Sequence, residues 1–451
     1  MGNGIAYIVL VAWPLIAFYL YRSNTIQVAS LWTILGGFMF LAVKTEIDLP
    51  MIPPLGKDTV PVISSLIGIL FVKNKRFPLF KSLGNLKYLV FLIVAVPFIT
   101  AGLNGEAVVV GWRYVSGLTY YDGLSSVINQ FLLIMPFFIG RAFFRTYEDQ
   151  LTLFKLLVVA GLLYSLPMLY EVRMSPQLHT TFYGYFPHSF LQQYRSGGFR
   201  PVVFMGHGLL VAFFAAVVLI SAVALWENKM KIRNFSPAAV SYYLLIVLFF
   251  CKSLASLLYG LFAFVLIKRL SCNMQIKAAV VLVSLAMLYP TMSIMKIFPH
   301  KEILDIAESI DASRAQSLQY RFDNEALLLE HAKTKFFFGW GGWGRNRYNN
   351  LTTDGGWVIT VGQFGILGFI AKFGLLAATV FRAFIAFKSL KPEPERKLFS
   401  AHVLLIGIIM IDQLPNASLA PWLWLIAGIL LGRSEEILAK KETKVVTASK
   451  N

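Results

Sequence analysis

The segment SRAQSLQYRFDNEALLLEHAKTKFFFGWGGWGRNRYNNLTTDGGW, Ser313–Trp357, is polar, aromatic and rich in glycine. It is the centre of a longer polar stretch, Phe298–Gly356. On either side the chain turns apolar: Ala278–Met295 before it and Trp357–Phe387 after it. Apolar blocks of about 20 residues read as membrane spans, because lipid leaves an open backbone unsatisfied and only helices or closed barrels cross it. The blocks here are continuous and not alternating, which selects helices over a barrel. The polar stretch is therefore a loop held between two sets of membrane helices.

Composition agrees. Of the 451 residues 57% are hydrophobic and 14% charged, against about 25% charged in soluble domains. Thirteen apolar stretches are expected as spans: Ile5–Tyr21, Ile26–Val43, Val60–Val72, Tyr88–Leu103, Leu124–Phe144, Leu151–Tyr170, Val202–Trp226, Ala238–Cys251, Leu254–Ile267, Ala278–Met295, Trp357–Phe387, His402–Ile411 and Leu419–Leu431. The expected fold is an all-α polytopic membrane protein with about 12–13 spans. Residues 1–297 carry membrane helices, 298–356 the polar loop, 357–432 the last membrane helices, and 433–451 a charged tail expected to be disordered. No cleavable signal peptide is evident, since Ile5–Tyr21 has no basic residue before it and no small-residue cleavage site after it.

Basic clusters set the orientation. Lys73, Lys75, Arg76, Lys81 and Lys87 lie in one loop. Arg141 with Arg145, then Lys229, Lys231 and Arg233, then Lys268 with Arg269, then Lys388, Lys391, Arg396 and Lys397 follow. Arg433, Lys440, Lys441 and Lys444 complete the set. Alternating spans place all of them on one face, which the positive-inside rule makes cytoplasmic. The formal net charge of +18 is largely accounted for in this way, and nucleic acid is not an expected partner. The C-terminus is then inside. Four longer segments fall outside: Lys44–Thr59, Asn104–Gly123, Glu171–Pro201 and Phe298–Gly356. Cys251 and Cys272 lie near different ends of a predicted helix, which argues against a disulfide. No His, Cys, Asp and Glu spacing fits a metal site, and no cofactor is implied.

The outer segments carry the chemistry. YRSGGFRPVVFMGHGLL, Tyr194–Leu210, brings Arg195, Arg200 and His207 to the start of a span. Arg200 precedes a proline, so extended backbone is expected there, and His207 is expected a turn or two inside the helix. Arginine suits phosphate because its planar fork donates in pairs and stays ionised; the plainer reading is contact with lipid head groups. Lys252, in FFCKSLASLL, stands at an outer turn, where it either binds an anion or snorkels to the interface. Ala315–Thr334 reads as an amphipathic helix with Arg314 and Arg321 on one face. Gly339 and Gly341 permit close backbone approach. Trp340 and Trp343 stack on sugar or anchor in head groups. Asp354, just before the next span, is either a general base or a helix N-cap.

In their order these features resemble the O-antigen ligase and O-antigen polymerase superfamily. The resemblance rests on Arg200 with FMGHGLL, the small-polar turn KSLAS, Arg321 followed by Gly339–Gly341, and Asp354 before QFGILGF with Gly365 and Gly368. It covers about Arg195 to Phe387. It implies a GT-C-like inverting glycosyltransferase, without a metal, facing the periplasm or cell exterior from the bacterial inner membrane. The donor would be a glycan on undecaprenyl pyrophosphate, with Arg200 and Arg321 holding the leaving pyrophosphate and His207 and Lys252 assisting. A base, for which Asp354 is the candidate, would deprotonate the acceptor hydroxyl. Ligases of the superfamily carry a His at the position matching Asp354, and this departure favours a polymerase making O-antigen or exopolysaccharide, with a chain-length regulator as a further partner. A ligase acting on lipid A-core or protein is the alternative. A transporter is a different class; Lys372 within a span is the residue that would support one.

Overall fold

The structure is a computed structural model, and it describes residues 2–49, 53–77, 79, 83–195, 197–232, 234–310, 312–349, 351 and 354–448. Lys81, Arg233 and the side chains of Arg314 and Lys444 lie outside that description. The described chain is 71% helical. Its helices are α1 (Gly4–Ser23), α2 (Ile26–Phe40), α3 (Val60–Ile67, continued by a π-turn to Val72), α4 (Leu86–Gly102), α5 (Tyr120–Phe143), α6 (Tyr147–Met174), α7 (Leu178–Tyr183), α8 (Gly208–Glu227), α9 (Pro237–Phe250), α10 (Leu254–Arg269), α11 (Cys272–Ile294), α12 (His300–Ile310), α13 (Ala312–Lys333), α14 (Gly356–Phe387), α15 (Glu393–Asp412) and α16 (Pro421–Ala448). Two short antiparallel hairpins complete it, β1–β2 (Val108–Val110, Arg113–Val115) and β3–β4 (Tyr194–Arg195, Gly198–Phe199).

Each of the thirteen apolar stretches overlaps a helix. Among the described residues six helices are long and apolar enough to cross a membrane by length and composition: α1, α5, α6, α8, α11 and α14. Four shorter apolar helices, α2, α3 with its π-turn, α4 and α9, add to them. The chain is an all-α polytopic membrane protein by this measure.

Helix α8 sits at the centre. Its sequence, GLLVAFFAAVVLISAVALWE, is apolar on every side, as a fully surrounded helix requires, and sixteen of its residues are buried. Helices α6, α9, α10 and α15 pack around it. Helices α5 and α16 pack closely, where Gly140, Gly428 and Gly432 let two backbones approach within reach of each other's carbonyls. Small residues are the usual means of such approach in lipid, where apolar side chains gain little from burial against each other.

Two expectations need correction. The span beginning at Val202 starts later, at Gly208, because Val203 is held at φ 46, outside the right-handed helical region, with Glu171 bonded to the Val202 and Val203 amides. Residues 433–448 continue α16 as helix, where a disordered tail was expected. Arg433 and Ser434 are buried, and Glu435 and Glu436 pair with Arg141 and Arg145 at 2.9 and 3.1 Å.

Candidate functional site

Three parts of the chain meet at the N-terminal end of α8. The first is the loop from α7 to α8. Its frame is Glu171, fully buried near the end of α6. One carboxylate oxygen accepts from the Val202 and Val203 amides, each at 2.7 Å, and the other from Leu178 at 2.8 Å. Val203 is held at φ 46, a left-handed conformation costly for a β-branched residue; three charge-assisted bonds offset that strain. Arg200 follows hairpin β3–β4 in non-helical backbone, as its proline neighbour predicts, and its amide donates to Gln193 O at 2.8 Å.

The Arg200 side chain is 4% exposed. Its Nη2 donates to Lys252 O at 3.0 Å, while its Nε is buried with no hydrogen-bond partner among the described residues. A buried donor of this kind calls for a water or an anion to accept from it. Burial pushes it down to about 10, with the positive charges of Arg195 and Arg321 acting in the same direction. It stays protonated at neutral pH.

His207 is the N-cap of α8, and not a residue inside it. Its Nδ1 accepts from the Leu209 amide at 3.0 Å. Since an amide can only donate, Nδ1 is unprotonated and Nε2 carries the hydrogen. Burial pushes the imidazole down to about 4, and the charges of His188, Arg200, Arg321 and Arg195 push the same way. His207 is therefore a neutral Nε2–H donor at pH 7. His188, not anticipated from sequence, meets it edge to face at 4.6 Å between ring centres. Burial and Lys44 lower the His188 pKa while Asp354 raises it, which brings that carboxylate into electrostatic reach of this loop.

The second part is the turn between α9 and α10. Lys252 holds φ 52, and its Nζ donates to Arg195 O at 3.1 Å across hairpin β3–β4. With Arg200 donating back to Lys252 O, hairpin and turn lock each other.

The third part joins α13, the start of α14 and the loop from α15 to α16. Arg321 Nη1 donates to Pro415 O at 3.0 Å, and its Nε is 3.8 Å from Asp354 Oδ2. Asp354 does not cap α14: that position belongs to Gly355, and the Gly356 amide is taken by Gln413 O and Asn416 O. Asp354 is left about 39% exposed beside Arg321. A cavity of about 140 Å³ opens here, lined by Arg321, Asp354, Tyr289, Phe298, Glu325 and Pro415 among others. Glu325, one turn after Arg321 on α13, accepts from Tyr289 Oη and from Ser293 Oγ at 2.8 Å. Burial pushes its carboxyl up to about 7. Asp412, at the end of α15, is held by Ser418 Oγ and by Asn416 Nδ2 at 2.8 Å, within reach of the Arg321 charge.

The glycine and tryptophan segment has another use. Gly365 breaks α14 at φ 66, ψ −170, and the 336–341 segment docks on the break. Trp340 N donates to Gly362 O at 2.8 Å, Gly341 N to Gln363 O at 2.9 Å, and Ile366 N to Phe336 O at 2.8 Å. Gly339 sits at φ 70, and a Cβ on it would lie 2.5 Å from the Gln363 carbonyl carbon. Trp340 is occupied internally, donating to His331 O at 2.9 Å and stacking on the His331 ring at 4.5 Å. Trp343 is 53% exposed. Arg345, buried, donates to the carbonyls of Trp340, Ser116 and Glu106, so it latches the loop and has fewer donors to offer a ligand. Lys372 lines a small cavity with Gln130 and Thr360, away from the arginines.

The structure thus brings Arg195, Arg200, His207, Lys252, Arg321 and Asp354 to one end of the helical bundle. Gly339, Gly341 and Trp340 support the loop that carries Arg321. Arg314 falls on α13 with its side chain outside the description. Sequence reading missed Glu171, His188, Glu325 and Asp412. Glu325 is four residues from Arg321 and so on its face of the helix, and Asp412 is an acid closing an apolar run; both signals were legible. Among the described residues no group of three or more His, Cys, Asp or Glu is placed to hold a metal. No family model matches the chain, and no curated protein matches it.

Proposed function

We propose that this chain is an inverting glycosyltransferase that polymerises undecaprenyl-pyrophosphate-linked oligosaccharide repeats at the outer face of a bacterial inner membrane. The observation that carries the reading is the convergence of Arg195 and Arg200 from the α7–α8 loop with Arg321 from α13, beside Asp354. Cations gathered at one end of an apolar bundle repel each other, and an anion must offset that repulsion. A pyrophosphate at the membrane surface supplies two phosphate groups to do so. The resemblance of Arg200–Leu210, Arg321–Gly341 and Asp354–Phe369 to the O-antigen ligase and polymerase superfamily points the same way.

In this reading Arg200 and Arg321 hold the pyrophosphate, with the idle Arg200 Nε and the His207 Nε2–H as further donors. Asp354 takes the proton of the acceptor sugar hydroxyl. The hydroxyl oxygen forms its bond to the anomeric carbon from the face opposite the leaving group, and the bond to the pyrophosphate oxygen breaks with its electron pair. The negative charge then developing on the pyrophosphate is met by fixed guanidinium groups, which need no reorganisation. His207, neutral and committed at Nδ1, acts as a donor and not as the base.

The ligase reading keeps one observation in its favour: His188 stands within reach of Asp354 and could supply the imidazole that ligases use. Purified protein given only lipid-linked repeats separates the two. A ladder of lengths is expected from the polymerase. A single transfer, seen only after lipid A-core is added, would replace it with the ligase.

A further inference from the structure

A second polar pocket lies at the other end of α8. Arg200 and His207 stand before the first residue of that helix, and Trp226 and Glu227 close its last turn. Its 20 residues put the two ends about 30 Å apart. The pocket has a volume of about 600 Å³ and is lined by Trp226, Glu227, Lys229, Lys231, Lys268 and Lys397, with the exposed Phe235 beside them. Four lysines face one glutamate. Glu227 already accepts from Lys268 at 2.9 Å and lies 3.3 Å from Lys397, which also meets Glu393. Lys229 and Lys231 are exposed and have no acidic partner among the described residues. Lys268 Nζ sits 4.1 Å over the Trp226 ring, so the indole holds that cation at the pocket wall.

We infer that this pocket binds the phosphate groups of an anionic phospholipid headgroup. The excess of cations calls for an anion. The setting selects a lipid: the apolar helix α8 ends here, beside the basic last turn of α10 and the charged first turns of α15, and charged ends on apolar helices are where a bilayer places its phosphates. Trp226 and Phe235 supply the amphipathic and apolar surface that meets glycerol and the first methylenes. Basic pockets between helix ends on one face of a membrane protein are suited to such headgroups. The site is separate from the arginine cluster and does not depend on the glycan-transfer reading.

The test uses the full-length protein in phosphatidylcholine nanodiscs containing a small fraction of cardiolipin or phosphatidylglycerol. The protein is released into mild detergent, and retained lipid is counted by native mass spectrometry. Wild type is expected to keep anionic phospholipid. The double variant Lys229→Gln/Lys231→Gln should keep at least tenfold less, whereas Lys441→Gln, a lysine outside the pocket, should match wild type. Both pocket lysines are exposed, so an unchanged elution profile is expected for the double variant. A second arm measures thermal unfolding with inorganic phosphate or pyrophosphate. If wild type retains no phospholipid but is stabilised by phosphate while the double variant is not, the phosphate chemistry stands and its source is soluble. Retention of phospholipid by both proteins to the same extent overturns the inference, and so does the absence of any difference in both arms.

Discussion

The two arginines and the glutamate behind them make different demands on a substitution. Arg200→Ala and Arg321→Ala are each expected to lower transfer by about 100-fold or more, the usual scale for losing one fixed donor to developing charge. Replacement by Lys should still cost about tenfold, because a point charge loses the paired donors of the fork. Turnover of lipid-linked repeats by purified variants checks both, and full activity in both Lys variants would remove the clamp from the mechanism. Asp354→Asn should be more damaging than Asp354→Glu if that carboxylate takes the proton. Glu171 works through others. A glutamine there would turn an NH₂ group toward at least one of the three amides it now serves. A loss of about 2 kcal/mol or more is expected, since bonds to a charged acceptor are worth roughly 1.5–3 kcal/mol each. A lowered melting temperature together with lowered activity would report it; unchanged stability would show that Val203 needs no anchor. Of these residues the arginines, His207 and Asp354 were legible as polar residues gathered at one end of the bundle, because the span count puts their segments on one face. Glu171 and His188 were not, because each acquires its role from partners that only the folded chain brings near.

Helix α13 was readable from its polar and apolar spacing, and so was α12 before it, where Ile303, Leu304, Ala307 and Ile310 recur at helical spacing, although it was expected only as part of the polar loop. The break in α14 was foreseen only as one of four glycines; Gly365 is chosen because the 336–341 segment needs the carbonyls and amide that the break exposes. Gly339→Ala should therefore detach that segment. The positive φ alone costs about 1–2 kcal/mol for a residue with a Cβ, and the Gln363 backbone leaves no room for it. Faster proteolysis within the polar loop would show the detachment. The seat of α13 on α11 depends on pH through Glu325, whose carboxyl is raised to about 7 by burial and is faced by Tyr289 and Ser293, with Arg321 and Asp354 in the same cavity. A raised folded pKa means that the folded state holds its proton more tightly than the unfolded chain. The stabilisation is then complete below about pH 4.5 and is lost as pH rises through about 7. Hydrogen exchange in α13, corrected for the intrinsic rate, should be faster at pH 8 than at pH 6. Glu325→Gln should remove the difference, and a difference that survived in that variant would place its origin elsewhere.

The molecule as a whole is ordered by its two faces. At one, ion pairs tie helix ends together: Arg141 with Glu435, Arg145 with Glu436, Lys268 and Lys397 with Glu227, and Arg433 with Glu395. These pairs join the ends of α5, α8, α10, α15 and α16, and they explain why the tail is helical where its charge alone predicted disorder. At the other face stand Arg195, Arg200, Lys252, Arg321 and Asp354. The helical plan was legible because apolar blocks admit few alternatives in lipid. Which loops share a face followed from counting spans, and which side chains touch did not, because contact depends on packing angles that composition does not carry. The basic clusters predict that the ion-pair face is cytoplasmic, and the proposed transfer reaction needs the arginine face to meet donors in the outer leaflet. Both demands are met by one orientation and neither by its inverse. A cysteine placed at Asn349, exposed on the arginine side in a background of Cys251→Ala and Cys272→Ala, should react with a membrane-impermeant maleimide in intact cells. A cysteine at Lys391, beside the ion pairs, should react only after permeabilisation. The reverse pattern would put the arginines inside, where the clamp would face the wrong leaflet, and the proposed polymerase could not reach its substrate.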